Sequence, residues 1–255
     1  MRTVKVRNIE FGRGIPKIAA PVVAKDIESL QRETAALKEK PVDLVEWRAD
    51  FFEKIDDRNE IIRAAKEIRR LLVDKPLLFT FRTAKEGGQR EIEREDYIQL
   101  NTNLIKSGQV DFVDVELFSG DETVSGLVET AHKNGVRVII SNHDFDGTPS
   151  TDTMVFRFKK MQELGADLTK IAVMPKSSTD VVTLLKVTDL MKTSVADRPF
   201  ITMSMSGRGV VSRLTGELFG SAVTFGSAGQ ASAPGQIEVE KLADWLQFFH
   251  QQLNQ

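Results

Sequence analysis

Lys170 lies in Leu168-Thr169-Lys170-Ile171-Ala172-Val173-Met174-Pro175, a run that otherwise reads as a buried β-strand. An isolated ammonium is costly to place among apolar groups, so such a lysine loses its charge, finds a partner or reaches solvent. Desolvation lowers a lysine pKa and frees the nitrogen lone pair, and a neutral amine can attack a carbonyl to form an imine. At the ordinary pKa of about 10.4, roughly one lysine in a few thousand is neutral at pH 7; at about 8 the fraction is roughly one in ten. The competing reading is an edge-strand lysine in water, and the residues around it must decide.

Several of them carry chemistry of their own. His143 falls near the end of Val138-Ile139-Ile140-Ser141-Asn142-His143-Asp144. An imidazole there can take and return a proton, as an elimination beside an imine requires. The other histidines, His132 in a polar helical stretch and His250 near the C-terminus, read as surface residues. With no cysteine and no paired-ligand spacing around His143, a metal centre is not expected. Glu46 and Arg48, two apart in Leu44-Val45-Glu46-Trp47-Arg48, project to one side of a strand. Arg82 ends Leu77-Leu78-Phe79-Thr80-Phe81-Arg82, Glu86-Gly87-Gly88 follows it, and Glu116 lies late in Val113-Asp114-Val115-Glu116-Leu117. Any single pair could be a structural ion pair; so many at strand ends point to one polar rim. Arg213 offers a forked guanidinium suited to a carboxylate or phosphate. The small residues of Gly226–Gln236 permit close backbone approach and movement, as in a lid, with a plain flexible loop as the alternative.

The elements that must position these groups alternate strand with helix along the chain. Strands are expected at Lys17–Ala24, Leu44–Asp50, Leu77–Arg82, Phe112–Leu117, Arg137–Asp144, Leu168–Pro175, Phe200–Met205 and Ala222–Gly226. Eight such units in 255 residues fit a single α/β domain, a (β/α)8 TIM barrel over residues 1–255. Thr3 to Phe11 is expected as a β-hairpin across the barrel bottom. Helical spacing is clearest in Ile61, Ala64, Ala65, Ile68 and Leu71-Leu72, interleaved with charged residues. Asp121-Glu122-Thr123 and Ser150-Thr151-Asp152 have the residue types of helix starts. In a barrel the strand-end residues converge at the C-terminal mouth. The 41% hydrophobic content suits a substantial core, and a net charge of -2 with mixed signs gives no footprint for nucleic acid or an anionic membrane. No run has the length of a membrane span and the first residues lack a signal-peptide core, so a cytoplasmic address is expected.

With these residues assembled, the chain resembles the type I 3-dehydroquinate dehydratases, Schiff-base enzymes of the shikimate pathway, nearly from end to end. The resemblance rests on Glu46-Trp47-Arg48, Phe79-Thr80-Phe81-Arg82 with Glu86-Gly87-Gly88, Val113-Asp114-Val115-Glu116-Leu117, Ser141-Asn142-His143-Asp144, Met161–Asp167 leading to Lys170–Pro175, Met203-Ser204-Met205-Ser206 and Ser232-Ala233-Pro234-Gly235-Gln236. It implies a cofactor-independent enzyme in which Lys170 condenses with the C3 ketone of 3-dehydroquinate, His143 moves the protons of a syn elimination, and Glu86 orients His143. It further implies that Arg213 holds the substrate carboxylate with Ser232 and Gln236 closing over it, while Glu46, Arg48 and Arg82 bind ring hydroxyls and frame the pocket. Glu116 would hold a neighbouring cation or donor, and the assembly would be a homodimer.

The chain departs from relatives at Pro21, where some carry Ser, at Lys176, where an uncharged residue is frequent, and in the less basic Ser227-Ala228-Gly229-Gln230. A class I aldolase or sugar-phosphate isomerase could share the lysine and the rim, because the loops after strands seven and eight commonly hold phosphate. A non-catalytic metabolite-binding barrel would keep the rim arginines but have no reason to keep Lys170 with His143.

Overall fold

Leu44–Arg48 shows how the sheet is built. Leu44 belongs to an inner apolar cluster with Leu78, Phe112, Ile139, Leu168 and Ile201, whereas Val45 and Trp47 belong to an outer cluster shared with the helices. Side chains alternate along a strand, so Glu46 and Arg48 share the inner face with Leu44. Both faces are covered, and all five residues are buried.

The computed structural model describes residues 2–229 and 233–255. It begins with an antiparallel hairpin of β1 (Val4–Val6) and β2 (Ile9–Phe11). Eight parallel strands then pair in chain order: β3 (Lys17–Val22), β4 (Leu44–Arg48), β5 (Leu77–Thr80), β6 (Phe112–Glu116), β7 (Arg137–Asp144), β8 (Leu168–Val173), β9 (Phe200–Ser204) and β10 (Val223–Ser227). β10 pairs with β3 on one side and with the short β11 (Ile237–Glu238) at its end. Ser221 bridges to Phe200 of β9, and the Ala222 N–H donates to the Phe200 carbonyl at 2.8 Å. The sheet thereby closes into the expected α/β barrel.

The outer layer consists of α1 (Ile27–Ala36), α2 (Arg58–Leu72), α3 (Arg94–Lys106), α4 (Asp121–Lys133), α5 (Thr151–Glu163), α6 (Ser178–Leu190), α7 (Val210–Leu214), α8 (Gly216–Phe219) and α9 (Val239–Leu253). In α2 the buried residues are Ile61, Ala64, Ala65, Ile68 and Leu72, one face of the helix, and the Asp57 side chain accepts from the backbone N–H groups of Asn59 and Glu60. Ser150 caps α5 by accepting from Thr153. The seventh crossover is two short pieces, α7 and α8; the Ser212 hydroxyl accepts from the Ser204 N–H at 3.0 Å and donates to the Gly209 carbonyl at 2.7 Å, tying α7 to the strand end.

Several strands stop earlier than the apolar runs suggested. Asp50, Arg82 and Leu117 fall beyond the ladders, and tight turns at Ala49–Phe51, Ala84–Glu86 and Leu117–Ser119 follow the strand ends. The first two turns bury Asp50 and Glu86 at the strand ends, whereas Leu117 of the third packs in the outer cluster with the helices. At the opposite mouth the hairpin forms the floor: Phe11 meets Phe112 edge-on with ring centroids 5.4 Å apart, and Arg7 Nε donates to Asp111 Oδ1 at 2.9 Å. Among the described residues no helix is long and apolar enough to cross a membrane.

Candidate active site

Lys170 sits mid-strand in β8, paired with Ser141 of β7 on one side and Ile201 of β9 on the other. It is not an edge lysine; its side chain is 6% exposed. Nζ lies 3.8 Å from Glu46 Oε1, 3.9 Å from Asp114 Oδ2 and 4.4 Å from the centroid of the Phe225 ring. Burial pulls its pKa below the ordinary lysine value, and Arg82 and Arg48 push the same way. Glu46 and Asp114 oppose them without reversing the shift.

One inner-face step beyond Ser141 stands His143. Glu86 Oε2 accepts its backbone N–H at 2.8 Å and lies 3.0 Å from ring Nδ1, while Glu86 Oε1 accepts from the Asn142 amide at 3.1 Å. Arg157 donates to Asn142 Oδ1 at 2.6 Å and steadies that amide from α5. Burial holds the imidazole well below its usual pKa, and the cations Arg82, Lys170 and Arg48 add to the effect. Burial also pushes Glu86 up to about 8, against the pull of Arg82. The ring is therefore a neutral base beside a carboxyl group that holds a proton unusually well. Local backbone makes this possible: a Cβ on Gly88 would lie 1.8 Å from the Arg82 carbonyl oxygen, so only glycine lets the turn carrying Glu86 fold back there.

Arg82 is a hub. Nη2 donates to Asp114 Oδ1 at 2.8 Å, and Nη1 donates to Glu116 Oε1 at 2.9 Å and to the Ser141 hydroxyl at 3.0 Å. Glu116 also accepts from the backbone N–H and hydroxyl of Thr83 at 2.9 and 2.7 Å, which fixes the entry to the Glu86 turn. Arg48 donates from Nε and Nη2 to the two oxygens of Asp50, both at 2.8 Å, a bidentate pair that aims the guanidinium across the mouth. Glu46 accepts from Thr80 at 3.0 Å.

Arg213 is 1% exposed, and no carboxylate among the described residues pairs with it. It donates to the Phe225 carbonyl at 3.1 Å and the Pro234 carbonyl at 3.0 Å and contacts Met203 Sδ at 3.0 Å, leaving Nε buried without a partner there. Burial lowers its pKa to about 10, so it stays charged at neutral pH. The Pro234 carbonyl also accepts from Ser206 N–H at 3.1 Å, and Gly235, at φ 76°, packs against the Ser206 backbone. The end of the last loop is thus stitched over the barrel mouth. Ser232 lies outside the described residues.

Glu46, Arg48, Arg82, Glu86, His143, Lys170 and Gln236 line one cleft that opens to solvent, walled on its apolar side by Met203, Met205 and Phe225. Pro21 is buried and Lys176 is exposed. His132 pairs with Asp167 and His250 with Glu217, both away from the cleft. Among the described residues no group of three or more His, Cys, Asp or Glu could hold a metal ion. The sequence reading passed over Asp114, Ser141, Asp50 and Phe225. Strand parity could have found the first two, since Asp114 shares a face with Glu116, and Ser141 with His143.

The chain matches the family model for type I 3-dehydroquinase over residues 18–253. It is 54% identical over 252 residues to the 3-dehydroquinate dehydratase of Syntrophotalea carbinolica, covering 99% of this chain and 100% of that one, and 52% identical over 252 residues to that of Bacillus licheniformis, covering 99% of both. Among solved structures it superposes with TM-score 0.96 on the type I 3-dehydroquinate dehydratase of Clostridium difficile, which holds covalently modified comenic acid, at 50% identity over 98% of this chain and 99% of that one. The 3-dehydroquinate dehydratase of Geobacillus kaustophilus gives TM-score 0.95 at 40% identity, covering 98% and 97%.

Proposed function

The chain belongs to the type I 3-dehydroquinase family, and on that premise we propose that it removes water from 3-dehydroquinate through an imine on Lys170. An enzyme of this family is a hydro-lyase; the covalent route and the roles of individual residues are our reading. The observation that carries it is a buried lysine of lowered pKa lining the same cleft as a buried neutral imidazole.

The neutral amine of Lys170 attacks the C3 ketone carbon. The carbonyl oxygen leaves as water, with one proton from the nitrogen and one taken up from solvent, and the nitrogen keeps its other proton as a cationic imine. His143 takes a proton from C2, and the C–H electrons flow into the imine to give an enamine. Glu86, against ring Nδ1, holds the imidazole in place and faces the charge that develops on it. The electrons then return to expel the C1 hydroxyl, which leaves as water with the proton carried by His143. One base serving both positions from one side makes the elimination syn. Water hydrolyses the product imine, releasing 3-dehydroshikimate and the free amine.

Arg213 does not itself line the cleft but reaches the lining residues Met203 and Phe225; its N–H at Nε, unpaired among the described residues, and its place where the last loop is anchored support its binding the substrate carboxylate, with Ser232 and Gln236 as the closing residues. Glu46 and Arg48 face the open cleft and suit ring hydroxyls. Arg82, held by two carboxylates, frames the cleft as a fixed donor. The scheme uses no cofactor. The family likeness further supports one catalytic domain spanning residues 1–255, a homodimer in the cytoplasm and a place in the shikimate pathway.

The test is to incubate the protein with 3-dehydroquinate and borohydride, digest it and locate the added mass. An adduct on the Lys170 peptide is expected. Turnover by Lys170→Ala at near the parent rate would overturn covalent catalysis.

A further inference from the structure

Asp114 is a carboxylate beside Lys170 that the proposed mechanism leaves without a task. Its side chain has no exposure, and its two oxygens differ. Oδ1 accepts from Arg82 at 2.8 Å and from the Ser141 hydroxyl at 2.6 Å. Oδ2 is buried with no hydrogen-bond partner among the described residues, 3.9 Å from Lys170 Nζ. Leaving a buried carboxylate oxygen unsatisfied is expensive, and such groups call for a reason.

Resting on the Schiff-base reading, we propose that Asp114 is a positioning residue for Lys170: Oδ1 clamps Arg82 and Ser141, and Oδ2 is the fixed counter-charge to the cationic imine. Glu46 lies at a similar distance from Nζ, but it lines the open cleft, where substrate competes for its oxygens. Asp114 stands beneath the cleft on β6 and does not line it. Its charge therefore remains at the same distance before, during and after the reaction. The free amine is held partly toward the charged form, and once the imine forms, the permanent cation has a desolvated anion beside it at no cost of rearrangement. The Phe225 ring supplies a further favourable face, 4.4 Å from the nitrogen.

The groups facing Nζ are Glu46 from β4, Arg48 at the end of that strand, Arg82 after β5, Asp114 from β6 and His143 from β7; Glu86 and Glu116 act on them from behind. A merely structural Asp114 would affect stability but not the pH at which the amine becomes reactive. The experiment therefore reads the acid limb of imine formation. A His143→Ala background stalls dehydration, and the protein is mixed rapidly with 3-dehydroquinate and quenched with borohydride across pH.

Asp114→Asn is expected to move that limb down by about one pH unit or more, the usual effect of an opposite charge at this distance. In the enzyme with His143 intact, it should lower kcat about tenfold or more, as the cation loses its partner. Ser141→Ala keeps the carboxylate but removes a donor from it, strengthening its hold on Nζ, so the limb should move upward; this variant decides the matter if Asp114→Asn does not fold. A limb that stays in place in whichever variant folds overturns the role of Asp114. If no adduct forms on Lys170 in the parent, the Schiff-base reading itself fails, and this proposal with it.

Discussion

Glu86 Oε2 meets His143 twice, accepting its backbone N–H at 2.8 Å and lying 3.0 Å from its ring Nδ1. Near neutral pH the folded pair carries its titratable proton on Glu86, with the imidazole neutral. In the unfolded chain Glu86 titrates near 4.5 and His143 near 6.5, whereas the folded glutamate keeps its proton to about 8 and the folded imidazole stays neutral far below its usual value. Unfolded and folded pairs thus bind equal protons between about 4.5 and 6.5. Above that window the folded pair binds more, and stability falls as pH rises toward 8; below it the unfolded pair binds more, and stability falls as pH drops. The difference in Tm between the parent and Glu86→Gln/His143→Gln should therefore shift against the parent from pH 6.5 to 8. A difference that stays constant over that range would refute the assignment.

For His143→Ala, imine formation should survive while dehydration slows by about 10²–10⁴, the usual contribution of general acid-base catalysis. Single-turnover mixing separates the two steps. Dehydration at the parent rate would remove His143 from the mechanism.

Arg213→Ala should raise KM for 3-dehydroquinate about 10- to 100-fold, the worth of a charged hydrogen bond. Arg213→Lys should not restore it, because a single ammonium cannot reach the Phe225 and Pro234 carbonyls and the substrate together. An unchanged KM in both variants would show that the carboxylate binds elsewhere.

Gly88→Ala forces a Cβ within 1.8 Å of the Arg82 carbonyl oxygen, so the turn carrying Glu86 must shift. A loss of about 2 kcal/mol or more is expected, together with a lower kcat, since the Glu86 contact to His143 depends on that turn. Gly126→Ala is the control: it lies in α4 with nothing within 4 Å of the added Cβ and should stabilise by about 0.5–1 kcal/mol. Equal thermal unfolding shifts in the two variants would contradict the steric argument.

The alternation of strand and helix, the inward parity of Glu46 with Arg48 and the apolar hairpin were all legible along the chain, because each depends on residues a few positions apart. The resemblance supplied the candidate roles. What the linear order left open were the strand ends: apolar runs continue past the last ladder bond, so Asp50, Arg82 and Leu117 read as strand although they turn away from it.

Sequence by itself determined which residues face the barrel axis, because the two-residue period of a strand is a local property. Only the tertiary structure decided which of them meet. His143 and Glu86 are separated by 57 positions, Arg82 and Ser141 by 59, and Arg213 and Pro234 by 21. Their contacts are set by the parallel register, by barrel closure and by turns that reverse the chain, and the resulting exclusion of water is what moves the pKa values of Lys170, His143 and Glu86.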